Sequence, residues 1–369
     1  LHNGQFYHGR NQFFCKAYNP AIRLMGYKSQ VEGCRLHNFQ PATFNLSPST
    51  KEPLMHWFNH SRLFDLARRG QRLTHIAAVI PLSFIFAVVA QFGVIPLVIA
   101  LGAIYGFSET GISLAGIPNT MAGLLMGMQL TFAFVLVYAI LWAWLKWFEK
   151  RPFWTLGYEM KDALAQYARG FLFGALMFAG SVGILALFGS VSFEQGDPSK
   201  QGLAAMAGVM LVLIGWVIQG GAEEVLIRGW ALPVIGARYK PWLGLLISSL
   251  IFALLHGLNP GLSAIALVNL ALFGVFAGLY AMREGSMWGI SALHSVWNWV
   301  QGNFFGFQVS GTDAEGGTLI NLMETGADWL TGGEFGPEGG LAVTVILVVG
   351  ILVILFWKGK EAVQKNLAG

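Results

Sequence analysis

The chain has 369 residues, of which 55% are hydrophobic, 14% aromatic and only 11% charged. A soluble domain carries about 25% charged residues, so this composition excludes a water-soluble globular protein and points to an integral membrane protein. The formal net charge of +4 is accounted for by basic residues at the ends of apolar runs and calls for no nucleic-acid partner.

Residues 1–54 are polar, without clear periodicity, and lack the apolar core of a signal peptide. They read as a disordered or artefactual leader. Both cysteines, Cys15 and Cys34, fall there without metal-ligand spacing. Residues 55–74 form a basic, amphipathic lead-in.

Eight apolar runs follow, near 75–105, 121–146, 170–189, 203–232, 242–257, 262–283, 286–306 and 341–357. Crossing the hydrocarbon takes about 20 apolar residues, so the expected fold is an all-α polytopic membrane bundle of about eight transmembrane helices. The first run is long and holds Pro81 and Pro96, which predicts a kink or tilt. The fifth is short, as a segment shielded by protein or lining a cavity can be. Gly170 with Gly174, and Gly274 with Gly278, are GxxxG pairs suited to close helix packing.

The connections alternate in charge. Segments 55–74, 147–169 and 233–241, the turn at Arg283 and the tail 358–369 are basic; 106–120, 190–202, 258–261 and 307–340 hold Lys200 as their only Lys or Arg. By the positive-inside rule both termini are cytoplasmic.

Few ionisable residues lie deep in the spans. Glu223, Glu224 and Arg228 are in the fourth, His256 in the fifth, His294 in the seventh, with Asn298 and Gln301. Charged and ionisable residues inside a membrane are functional candidates. At 1.5 Å per residue, Glu223 is ~13 Å, His294 ~12 Å and His256 ~21 Å from the cytoplasmic ends of their helices. This predicts convergence of the three spans on a site open toward the cytoplasmic half. Glu224 and Arg228 have the i, i+4 spacing of a helical ion pair. Glu223 points ~100° away, free to face the histidines. His294 and Asn298 share a helix face, and Phe252 lies one turn before His256.

In order, "EEVLIR" (Glu223, Glu224, Arg228), "FALLH" (Phe252, His256) and "HSVWN" (His294, Asn298) resemble the three motifs of the CPBP family of intramembrane proteases. That family includes the type II CAAX prenyl endopeptidases and bacterial members, some linked to bacteriocin immunity. The motifs cover about 203–300, and the eight-span plan extends the likeness to about 70–357. The resemblance implies a multi-pass enzyme of the bacterial plasma membrane. It would hydrolyse peptide bonds of membrane-associated protein or peptide substrates.

Under that resemblance Glu223, with His256, would deprotonate the attacking water, and His294 and Asn298 would hold the oxyanion. Glu224, Arg228 and Phe252 would support them. A zinc-dependent version would use Glu223, His256 and His294 as ligands, with an open water position. A metal-free site is preferred, because Asn suits an oxyanion better than zinc and no HExxH is present. A transporter or a non-proteolytic scaffold or immunity protein is the rival class.

Overall fold

A computed structural model of the chain describes residues 56–106 and 116–356. The leader expected over 1–54 and the tail over 358–369 lie outside those residues. The lead-in folds as two short helices, α1 (His56–Asn59) and α2 (Arg62–Ala67). The apolar face of α2 is buried within the bundle, with Phe64 packed beside Gly236.

All eight apolar runs are helical. The first is α3 (Ile76–Gln91) and α4 (Ile95–Tyr105); the second is α5 (Asn119–Trp144); the third is α6 (Ala163–Leu187). The fourth is α7 (Gly202–Glu224) and α8 (Leu232–Arg238), the fifth α9 (Pro241–Leu255), the sixth α10 (Ala264–Glu284) and the seventh α11 (Trp288–Trp299). After α12 (Asp328–Thr331), a single turn in a loop, α13 (Leu341–Phe356) is the eighth. Five stretches, 76–105, 119–149, 163–187, 202–238 and 264–284, are long and apolar enough to cross a membrane, while α9 and α13 are shorter. The C-cap of α9 is His256, which lines a chamber in the bundle, as a short segment lining a cavity can.

The first span breaks at a 3-10 turn, Phe92–Val94. Pro96 removes a backbone donor, and its ring crowds the carbonyl of Phe92. Gly93 occupies the break because a Cβ there would lie 2.1 Å from the carbonyl oxygen of Phe132. Three further helices contain π-helical turns, at Leu145–Glu149, Val225–Ala231 and Val300–Phe304. Such turns recur at functional sites, and two of these directly follow the motif residues on α7 and α11.

Helix α7 is the central post. Its Gly208 and Gly215 pack on Gly123 and Gly127 of α5, and its Gly220 packs on Ser295 of α11. The GxxxG pairs work as expected. Gly170 and Gly174 bring α6 against the backbone at Gly289 and Leu293, and Gly274 and Gly278 bring α10 against Ser249 and Leu245. Side chains at those glycines would separate α11 or α9 from its support.

At the basic end, Arg151 is buried rather than solvated. It pairs with Glu149 at 2.7 Å, and Glu149 also accepts from Thr74 Oγ1 and Trp230 Nε1. This polar knot ties α3, α5 and the π turn after Glu224. The opposite end is capped by loops joined through a small antiparallel pair, β1 (Val191–Phe193) with β2 (Leu322–Glu324). Burial, with Asp328 adding to it, pushes the Glu324 carboxyl up to about 8, so it is largely uncharged in the cap at neutral pH.

Candidate active site

The last turn of α7 places Gln219 one turn before Glu223. Gln219 Nε2 donates to Glu223 Oε1 at 2.5 Å, and Asn298 Nδ2 on α11 donates to Gln219 Oε1 at 2.9 Å. Glu223 Oε2 has no hydrogen-bond partner among the described residues. It lies 3.8 Å from His294 Nε2 and 4.0 Å from His256 Nε2. These separations exceed hydrogen-bond length and match polar groups with an atom bridging between them.

The other ring nitrogens define what faces that gap. His256 Nδ1 is 2.9 Å from the Phe252 carbonyl, and His294 Nδ1 is 2.8 Å from Glu224 Oε1. Carbonyl and carboxylate oxygens only accept, so each imidazole donates from Nδ1. In the neutral rings both Nε2 lone pairs then point toward Glu223. With both rings neutral, three lone-pair atoms converge on one gap, where a water molecule would donate to two of them.

Glu224 faces away from the gap. Its Oε1 is shared by Arg228 Nη1 at 2.9 Å and His294 Nδ1 at 2.8 Å. Glu224 and Arg228 side chains are fully buried, whereas Glu223 keeps 18% exposure. Only Glu223 is reachable from a cavity. The Arg228 guanidinium lies 4.3 Å from the Phe252 ring and 5.8 Å from the Phe273 ring. Those aromatic faces take the place of hydrogen-bond partners for its Nε and Nη2, which have none among the described residues. Phe252 does wedge His256, at 4.7 Å between ring centroids.

The structure thus gathers Glu223, Glu224, Arg228, Phe252, His256, His294 and Asn298 in one cluster. It departs from the sequence reading in four respects. Glu224 holds His294 as well as Arg228. His294 has Nδ1 engaged by Glu224, so only its Nε2 faces the gap beside Glu223. Gln301 turns away, its Nε2 donating to the Gln308 carbonyl. Gln219, absent from the motif reading, links Asn298 to Glu223; its signal was present in the i, i+4 spacing to Glu223 on a membrane helix.

The site forms one wall of a chamber of about 1000 Å³. Its lining reaches Gly116, Lys200, Asn259, Asp313 and Glu315, all at the end opposite the basic loops. Access therefore lies on that face, not on the basic side where the sequence placed it. The basic side is filled by Glu224, Arg228, Trp230 and Glu149, all buried.

A zinc ion needs ligand atoms at about 2.0–2.2 Å, which sets tetrahedral neighbours about 3.3–3.5 Å apart. The Glu223–histidine separations of 3.8 and 4.0 Å are wider. Among the described residues no group of three or more His, Cys, Asp or Glu side chains is placed to hold a metal ion. Glu223, His256 and His294 do not make a preformed zinc site.

Residues 204–300 match the family model of the Rce1-like type II CAAX prenyl endopeptidases. The match covers about a quarter of the chain and contains every motif residue named above. It bears out the resemblance drawn from the three motifs, and the matched family is one of membrane proteases. No curated protein and no solved structure matches the chain.

Proposed function

We propose that the protein is an intramembrane endopeptidase in which Glu223 activates a water molecule against a peptide bond of a membrane-associated protein or peptide. The observation that carries this reading is the unsatisfied Glu223 Oε2, facing two imidazole Nε2 atoms at the wall of a large chamber. Glu223 takes one proton as the water oxygen bonds to the carbonyl carbon. The second hydrogen of Asn298 Nδ2 stabilises the oxyanion. The proton then passes to the leaving nitrogen, the C–N bond breaks, and a carboxylate and an amine result. Transporter and scaffold readings predict no peptide turnover.

Metal dependence is tested on purified protein. Turnover of a peptide pool is expected to survive prolonged chelation unchanged. Loss of turnover on chelation, with recovery on adding zinc, would transfer the water-activating role to a metal held by Glu223, His256 and His294.

The charge asymmetry of the loops supports cytoplasmic termini, which makes the chamber mouth extracytoplasmic. A Thr312→Cys reporter, with Cys15 and Cys34 changed to Ser, is then expected to react with a membrane-impermeant maleimide in right-side-out vesicles. Reaction only in inverted vesicles would reverse this orientation.

A further inference from the structure

Two polar side chains on the chamber wall have no role in the site just described. Gln91 ends α3 and Gln129 lies within α5; both line the chamber that holds Glu223. Both are exposed, and neither makes a hydrogen bond within the described residues. An amide at membrane depth without a protein partner is costly to keep in an apolar wall. On α3, α4 and α5 the other lining residues, among them Val88, Leu97, Leu130 and Phe134, are apolar, so the two amides are the polar points of that wall.

Their heights follow from glycine contacts. Gly208 packs on Gly123, and Gly215 packs on Gly127 and Leu130. Helices α5 and α7 therefore run side by side, and Glu223 is level with Tyr138. Gly93 packs on the Phe132 carbonyl, and α3 runs opposite to α5, so Gln91 is level with Phe134. At 1.5 Å per residue, Gln91 lies about 6 Å beyond Glu223 toward the chamber mouth, and Gln129 about 7.5 Å further. Each step is close to the roughly 6.6 Å that separates residues i and i+2 of an extended chain. A primary amide offers one acceptor and two donors, the complement of a peptide unit.

We propose that Gln91 and Gln129 are substrate-binding residues: they hydrogen-bond alternate backbone units of an extended peptide and guide its scissile bond to Glu223. This rests on the endopeptidase reading and adds the form in which substrate is held, extended and recognised through its main chain. Backbone recognition also fits the α3–α5 side of the chamber, whose remaining lining is apolar.

The test uses full-length protein in nanodiscs and a fluorescent, leucine- and alanine-rich dodecapeptide as probe. Binding is measured by anisotropy to Glu223→Gln protein, which keeps binding separate from cleavage. Gln91→Leu and Gln129→Leu in that background are each expected to weaken binding about 3–10-fold, the worth of one hydrogen bond, with unchanged melting temperature. In otherwise wild-type protein the same changes should raise KM and leave kcat within twofold. Probes N-methylated at single backbone positions should bind wild-type protein more weakly, and at the contacted position lose nothing further in the matching Leu variant. Binding that ignores both glutamines, or no binding of the probe, overturns the inference. Glutamine-dependent binding without turnover by the wild-type protein would retain it and overturn the endopeptidase reading instead.

Discussion

Glu223→Gln is expected to abolish peptide turnover while leaving the protein folded and inserted. The substitution keeps size and shape, and the Gln oxygen can still accept from Gln219 Nε2, which now bonds Glu223 Oε1. What disappears is the basic oxygen that faces His256 and His294. A positioned general base contributes about 10²–10⁴-fold, and the adjacent carboxylate, Glu224, is fully buried and bonded to Arg228 and His294. Turnover should fall by roughly three orders of magnitude, with the detergent melting temperature within a degree or two of wild type. The flanking Gln219→Leu change should act more mildly, because it frees Glu223 Oε1 and Asn298 to wander without removing either. If Glu223→Gln keeps near-normal turnover, Glu223 is not the base, and the gap it faces has another use.

Much of this site could be read before folding because its components lie within single helices. The pairing of Glu224 with Arg228, the stacking of Phe252 beneath His256 and the shared face of His294 and Asn298 are all i, i+4 relations, which helical geometry dictates. The link from His294 Nδ1 to Glu224 Oε1 joins α11 to α7, and no spacing within one helix encodes a rotation of two helices about each other. The same limit hid the chain from Asn298 through Gln219. The fold itself was legible because eight apolar runs separated by alternately charged loops leave few other arrangements.

The direction of access was misread for a definite reason. The apolar run ends near Leu232, and depth measured from there places Glu223 close to the basic end. The helical course continues through the π turn and α8 to Arg238, packed against α2 and α9 instead of emerging into water. Glu223 therefore sits farther from the basic end than hydropathy alone suggests. The buried knot of Glu149, Arg151 and Trp230 closes the space beneath it. A fully buried ion pair is invisible to a reading that takes every loop charge as solvated.

Glu224→Gln is expected to destabilise the protein and impair turnover together, and the two losses should separate in a double variant. Glu224 Oε1 lies between Arg228 Nη1 and His294 Nδ1, at 2.9 and 2.8 Å. Removing its charge leaves Arg228, fully buried, without its paired carboxylate and stacked beside the Phe252 and Phe273 rings. Breaking a buried pair from one side costs about 3–5 kcal/mol, so a clear fall in melting temperature follows. Glu224→Gln combined with Arg228→Gln removes the stranded cation and should recover part of that stability. It should not recover turnover, because His294 still lacks the carboxylate that fixes its Nδ1 proton and points Nε2 at Glu223. Measuring melting temperature and turnover for the single and double variants settles which partner matters. If the double variant regains both, Glu224 serves Arg228 alone and its contact with His294 is idle. If Glu224→Gln melts like wild type but is inactive, the ion pair contributes little to stability and Glu224 acts through His294.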